Sequence, residues 1–482
     1  MELELLHSGI SITTLSGEEA LLTEDAVESL KGQIQGDVLL PSDDDYDQAR
    51  KIWNGMIDKR PALIVRCTGP ADVIDAVKFA RTHNILVSIR GGGHNVAGNA
   101  LVDNGMVIDL SKMRGIHVDP KSRTVRAEAG ATLGELDRET QVFGLAVPSG
   151  IVTTTGIAGL TLGGGFGWLA RKHGLSSDNL ISVDMVTAEG EFLTVSETEH
   201  EDLFWGLRGG GGNFGIVTSF EYRLQSIGPM VLGGMLLHPM EDAPKFLRFY
   251  RDFISDAPDE LAVAPILRLA PPAPFLPEEV HGMPVVGVIV LYAGPIEKGE
   301  KLIAPLRQYG KPLVDGIGPK PFRLLQSLLD ASARPGLNYY VKSEFLPALS
   351  DDVIDTLVEH ASKITSPLSV IAGFHLGGAV SRIDEDATAY SHRDAAYSLI
   401  INCAWTDPDE SEKHIQWTRA FWQALQPFSS GGAYVNFQSR DEGEDRVKAT
   451  YGTAKYERLS KLKKKYDPLN FFRLNQNIRP TS

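Results

Sequence analysis

The chain has 482 residues and a formal net charge of −15, with 43% hydrophobic and 23% charged residues. That length exceeds what a single hydrophobic core usually serves, the acidity disfavours a nucleic-acid partner, and no uninterrupted apolar run reaches the roughly 18–20 residues of a membrane span. The first residues, Met1-Glu-Leu-Glu-Leu-Leu-His7, lack the basic and apolar regions of a signal peptide, so the expected location is the cytoplasm.

In chain order, residues 1–30 show no strong pattern and read as an N-terminal extension. From Pro61 strands and helices alternate: a strand over 62–66, a helix from Asp72 with Val73, Ala76, Val77 and Ala80 on one face, then a strand over 85–89. A strand follows over 124–129. Thr132 and Glu135 have capping-box spacing before a helix that stops at Gly144. Residues 181–188 and 192–195 flank an Ala-Glu-Gly turn and predict a hairpin, and 216–222 another strand. Composition shifts at Gly228-Pro229. Pro-rich linkers such as 270–277 then separate strands (284–292, 339–345) from helices (352–364). Residues 431–437 predict a strand and 446–465 a charged helix. The pattern is α+β, with no internal repeat.

Cys67 and Cys403 each lie in an apolar stretch and read as buried thiols, with a single bridge left open. The twelve histidines are scattered, and no metal site is expected.

Three glycine clusters carry the chemistry. The 85–89 strand empties into Arg90-Gly-Gly-Gly-His94-Asn95 and then Gly98. Glycine admits positive φ and close approach to the backbone, and consecutive N–H groups in such a turn form a nest for a pyrophosphate. His94 inside that nest points to the reactive part of a diphosphate cofactor. The second cluster spans 148–167 and the third is Arg208-Gly-Gly-Gly-Gly-Asn-Phe-Gly215. The Rossmann fingerprint and the Walker pattern are both absent, which leaves a different cradle for a different dinucleotide.

Arg90-Gly-Gly-Gly-His94-Asn95 resembles the flavin-attachment motif of the vanillyl-alcohol-oxidase/p-cresol-methylhydroxylase (PCMH/VAO) superfamily. Gly159-Leu-Thr-Leu-Gly-Gly-Gly-Phe-Gly167, Asp202-Leu-Phe-Trp-Gly-Leu-Arg-Gly-Gly and Tyr466-Asp-Pro-Leu-Asn-Phe-Phe-Arg-Leu-Asn-Gln-Asn-Ile478 look like its berberine-bridge-enzyme-like branch, in the bacterial group that resembles 6-hydroxy-D-nicotine oxidase. The resemblance covers about 39–480. It implies a two-domain flavoprotein: an FAD-binding domain over 31–227, a substrate domain over 228–429 with an antiparallel sheet covered by helices, and a C-terminal segment, 430–482, that rejoins the first domain.

It further implies FAD bonded covalently to the His94 ring. Cofactor contacts would come from Arg90, Gly91, Gly92, Gly93, Asn95 and Gly98 in the first loop. The second would give Ser149, Gly150, Val152, Thr155, Gly156, Gly159, Gly164 and Gly167; Val217, Asn436, Asn475 and Asn477 complete the set. Relatives often add a cysteine bond from a Gly-x-Cys-x-x-x-Gly segment. Here that segment is Gly150-Ile-Val-Thr-Thr-Thr-Gly156 with Val152 at the cysteine position, so attachment through His94 only is expected. Two tyrosine bases of relatives are replaced by Phe166 and Phe437.

The remaining catalytic candidates are Tyr434, His375 and the pair Lys342 and Glu344, which share one strand face. The expected activity is FAD-dependent oxidation of a small organic alcohol, with O2 as electron acceptor and H2O2 as product. Oxidation at C–N, a non-oxygen acceptor, and a flavoprotein without enzymatic activity are the alternatives. A homodimer is compatible with the sequence, which fixes no oligomeric state.

Overall fold

The computed structural model describes residues 9–272 and 276–481. The start of the N-terminal extension and 273–275 of the Pro-rich linker lie outside these residues. Two sheets build the N-terminal half. The first runs Asp37–Leu39, Leu63–Arg66, Met106–Asp109, Val87–Arg90, with the last three strands parallel. The Pro70–Thr82 helix carries the chain from Leu63–Arg66 to Val87–Arg90, and Met106–Asp109 then pairs in parallel between those two strands. Its Asp72 is buried because the carboxylate collects the backbone N–H groups of Gln35 (2.8 Å), Gly36 (3.2 Å) and Thr68 (2.8 Å). The Val87–Arg90 strand lies at the sheet edge and delivers the His94 loop from its carboxyl end.

The second sheet is antiparallel, in the order Phe192–Ser196, Leu180–Val186, Ile216–Arg223, Thr124–Glu128, Ile116–Asp119. The capping box forms at Thr132 and Glu135 and starts the Leu133–Gln141 helix.

The expected extension is not loose. Gly9–Thr13 and Glu19–Thr23 form a hairpin, and Thr23 caps a helix over Glu24–Gln33. Their Ile12, Leu22, Val27 and Leu30 sit in the first core. The pattern escapes a sequence reading because the two strands show only one buried apolar residue each.

The third sheet is antiparallel throughout. Its main strands follow the order Met230–Pro239, Pro284–Tyr292, Leu261–Leu269, Val370–His375, Tyr397–Trp405, Asn338–Leu346. One face packs against the helices Ala243–Ile254, Asp351–Ala361 and Ser411–Leu425. The other face carries Ala264, Ile266, Ile289, Val370, Ala372 and Phe374, and meets Phe166 and Trp168 from the second glycine-rich segment.

The C-terminal helix Glu444–Tyr466 breaks at Gly452, where φ is 69°. Beyond the break, Leu459, Phe471, Phe472 and Ile478 lie in the same core as the first two sheets. Residues 431–437 do not form the expected strand. The Phe437 N–H turns back to the Tyr434 carbonyl (2.9 Å), which closes a short 3-10 turn over Val435–Phe437. Cys67 and Cys403 are buried free thiols. No described helix is long and apolar enough to cross a membrane.

Candidate active site

A cavity lies where the glycine loops face the third sheet, and water centres can occupy about 330 Å³ of it. On one side stand Gly91, Gly92, Gly93, His94 and Asn95, joined by Gly150, Val152, Thr155, Gly156, Gly159, Val217, Asn436 and Asn475. The two main loops meet backbone to backbone. A Cβ at Gly92 would lie 2.4 Å from the Gly156 nitrogen, and one at Gly156 would lie 2.5 Å from the Gly92 nitrogen. Any side chain there would force the loops apart, which is why both positions are glycine.

The Gly91, Gly92, Gly93 and His94 N–H groups donate to no protein acceptor among the described residues. A run of free amides in a turn is an anion nest. The buried Asn475 Oδ1 lines the cavity without a partner, and its Nδ2 is held by the Phe472 (3.0 Å) and Gly212 (3.2 Å) carbonyls. These features suit a ligand with a pyrophosphate and a ring bearing N–H donors, and FAD has both.

His94 is held by Thr154 Oγ1 on Nε2 (2.9 Å) and Thr155 Oγ1 near Nδ1 (3.4 Å). Enclosure pushes its pKa down to about 4, so the imidazole is neutral at physiological pH. Neutrality is what a ring nitrogen needs in order to bond to carbon. Trp53 stacks over it at 5.1 Å between centroids and continues onto Tyr339 of the third sheet at 3.7 Å. Asn54, also buried, donates to the Val96 carbonyl (3.1 Å) and the Tyr339 carbonyl (3.0 Å). Trp53 and Asn54 thus tie the His94 loop to the sheet. No periodicity marks their segment, and only an aromatic beside Asn and Gly in a loop hints at them.

Six expected cofactor residues stand behind this wall. Arg90 donates to the Ala49 carbonyl, and Gly98, at φ 74°, packs on Ile57. Gly164, at φ 114°, fits against Tyr390, and Gly167 against the Ser149 carbonyl. The Ser149 hydroxyl and Asn477 Oδ1 are buried without partners.

The opposite wall is mainly apolar: Ile266, Ile289, Ala372, Phe374, Ile400, Phe166 and Phe437. Tyr434 is its phenol. The ring packs on Phe166 (4.6 Å) and Phe437 (5.0 Å), the two positions that lack the tyrosines of relatives. Its oxygen accepts the Gly165 N–H (3.0 Å) and the Asn436 Nδ2 (2.8 Å). No described residue accepts its proton. Burial holds its pKa up at about 12, so Tyr434 is a donor at neutral pH.

The other three catalytic candidates are corrected by strand alternation. Val341 faces the cavity, so Lys342 and Glu344 point to the helix side of the sheet. Lys342 pairs there with Asp441 (2.9 Å) and Glu442 (3.2 Å), and Glu344 accepts from Trp422 (2.6 Å), Gln426 (2.5 Å) and Arg446. Likewise Val370, Ala372 and Phe374 face the cavity, which turns His375 away. Arg171 donates to its Nδ1 at 2.9 Å, and burial with that cation lowers its pKa to about 4. Sharing a face was legible for the pair; which face meets the cavity was not.

Residues 61–196 match the FAD binding domain family, and residues 433–479 the berberine and berberine-like family. An FAD-linked oxidoreductase from Dictyostelium discoideum is 34% identical over 452 residues, covering 93% of this chain and 95% of the relative. (R)-6-hydroxynicotine oxidase from Paenarthrobacter nicotinovorans is 32% identical, with 93% and 97% covered. The crystal structure of 6-hydroxy-D-nicotine oxidase from Arthrobacter nicotinovorans superposes with a TM-score of 0.83 at 30% identity, over 93% of this chain and 98% of that one.

Proposed function

This chain belongs to the berberine-bridge-enzyme-like family of FAD-linked oxidoreductases, with the two-domain α+β fold of the PCMH/VAO type, and on that premise we propose that it is an oxidase acting at a C–N bond of a small organic substrate. The His94 loop would hold FAD, bonded to His94 alone, and the bound flavin would supply a hydride acceptor that O2 reoxidises, with H2O2 as the product. The carrying observation is the absence of a base among the described residues on the cavity wall opposite His94. Lys342, Glu344 and His375 are turned away, Phe166 and Phe437 carry no hydroxyl, and Tyr434 keeps its proton. An alcohol must lose its hydroxyl proton as hydride leaves, and general bases carry that step. A neutral amine can give up hydride with its own lone pair stabilising the carbon. That difference favours C–N oxidation over the C–OH oxidation expected from sequence.

The chain's own groups divide the work. The apolar wall excludes water and holds the substrate body, Tyr434 donates to a polar atom of the substrate, and Trp53 with Asn54 keeps the His94 loop in register with the sheet. Anaerobic mixing of the yellow holoprotein with matched amines and alcohols tests the reading. Loss of flavin absorbance with amines, followed by peroxide on admitting air, is expected. Bleaching by alcohols alone overturns the C–N assignment.

A further inference from the structure

Arg268 is 3% exposed, on the central strand Leu261–Leu269 of the third sheet. Register places it in one row with Val370, Asn402 and Val341. Those three residues line the cavity, and side chains in register on neighbouring strands share a face, so Arg268 lies on the cavity side of the sheet, next to the lining. Its Nε donates to the Leu269 carbonyl (3.0 Å) and its Nη1 to Ser332 Oγ (2.8 Å); Ser332 itself lines the cavity. A guanidinium has five N–H donors, so most of this one remains unspent.

No carboxylate among the described residues pairs with Arg268, although burying an unpaired charge is costly. Other buried cations are compensated. Arg393 meets Asp178 at 2.7 Å and Lys463 meets Asp467 at 2.7 Å. Arg171 has no ion-pair partner, yet it spends its donors on the Leu261, Leu376 and Ala257 carbonyls and on His375. Burial lowers the Arg268 pKa to about 10, which leaves it charged at neutral pH. Asn402, two strands away at roughly 10 Å by strand spacing, presents a buried Oδ1 with no partner. Between them the floor is apolar.

We propose that Arg268, with Ser332 beside it, is the anion-recognising end of the substrate cavity, and that the substrate carries a carboxylate on an apolar body. The planar fork of a guanidinium matches the two oxygens of a carboxylate. Ser332, accepting from Arg268, keeps its own proton to donate to the same group. Asn402 Oδ1 takes a donor on the substrate body. This inference rests on the reading that the cavity binds the substrate of the oxidase.

The test titrates the holoprotein with benzoate and with benzamide by calorimetry, repeated with the 3-phenylpropionate and hexanoate pairs. The acids are expected to bind roughly tenfold or more tightly than their amides. Arg268→Gln is expected to erase that preference and to keep its flavin and its affinity for the amides. Equal binding of acid and amide in every pair, no binding of any acid, or a preference that survives Arg268→Gln overturns the proposal. Should that variant not fold, Arg268→Lys keeps the charge without the fork: benzoate is expected to weaken roughly tenfold, and benzoate bound at wild-type strength overturns the proposal. Acid binding through Arg268 in a protein that no amine or alcohol reduces refutes the oxidase reading alone. Amine oxidation without acid preference refutes this inference alone.

Discussion

The Tyr434 hydroxyl oxygen accepts the backbone N–H of Gly165 at 3.0 Å, which joins the C-terminal segment to the second glycine-rich loop at the cavity wall. With Asn436 donating to the same oxygen, the phenol proton is left for the cavity. Tyr434→Phe should slow anaerobic flavin reduction roughly tenfold to hundredfold, the effect of one buried donor, with FAD retained. A rate equal to wild type, measured by stopped-flow absorbance, removes Tyr434 from the pocket chemistry.

His94 is neutral and Val152 lines the cavity where a cysteine would make a second bond. Acid-precipitated protein should stay yellow, and its intact mass should include one FAD. His94→Ala should release the cofactor in acid. A flavin–cysteinyl peptide in a digest, or FAD lost freely from the native chain, contradicts attachment through His94 alone.

Thr155 lines the cavity with its hydroxyl near His94 Nδ1. It has nearly the volume of valine, so on the oxidase reading it would leave O2 room to approach the cofactor. Thr155→Leu should slow reoxidation in air and leave reduction by substrate less affected. Rapid mixing of the reduced enzyme with aerated buffer decides this: unchanged reoxidation in the variant rules out a gate at this position.

Lys342 and Glu344 should matter for stability rather than turnover. Removing one member of a buried ion pair leaves the other charge uncompensated, at a cost of about 3–5 kcal/mol. Lys342→Met should shift the urea midpoint down accordingly while the folded fraction reduces its flavin near the wild-type rate. A variant with an unchanged midpoint and slow reduction would return Lys342 to the active site.

Asp137 is buried, with Gln326 Nε2 at 3.1 Å and its second oxygen unpartnered. Burial pushes its pKa up to about 7 against the partial pull of Gln326 and Arg323. An unfolded aspartate titrates near about 3.9. Between these values the folded chain holds a proton that the unfolded chain has lost, so stability falls as pH rises through the window and levels off above it. Asp137→Asn removes that loss. Its advantage in melting temperature over wild type should therefore be larger at about pH 8 than at about pH 5; equal gaps at both would show that Asp137 does not titrate in the folded chain.

Local chemistry is what the sequence alone determined. The His94 loop, the glycines facing it and the Thr132–Glu135 cap are set by backbone requirements within a few residues, so spacing exposes them. In the third sheet, the strands over 284–292 and 339–345 and the helix from about 352 follow from apolar periodicity for the same reason. Residues 431–437 read as a strand because apolar and β-branched residues signal one, whereas the Phe437 N–H finds its acceptor within the segment itself.

Only the tertiary structure decided the substrate side. Alternation tells which residues of a strand share a face, and not whether that face meets a cavity or a helix; Lys342, Glu344 and His375 fell on the wrong side of that choice. Arg268 reads as an ordinary basic residue until register sets it in one row with Val370 and Asn402, on the cavity side of the sheet, with no carboxylate among the described residues to neutralise it. Its meaning depends on strand neighbours far away in sequence and on the missing counter-charge, and neither is a property of the residues next to it in the chain.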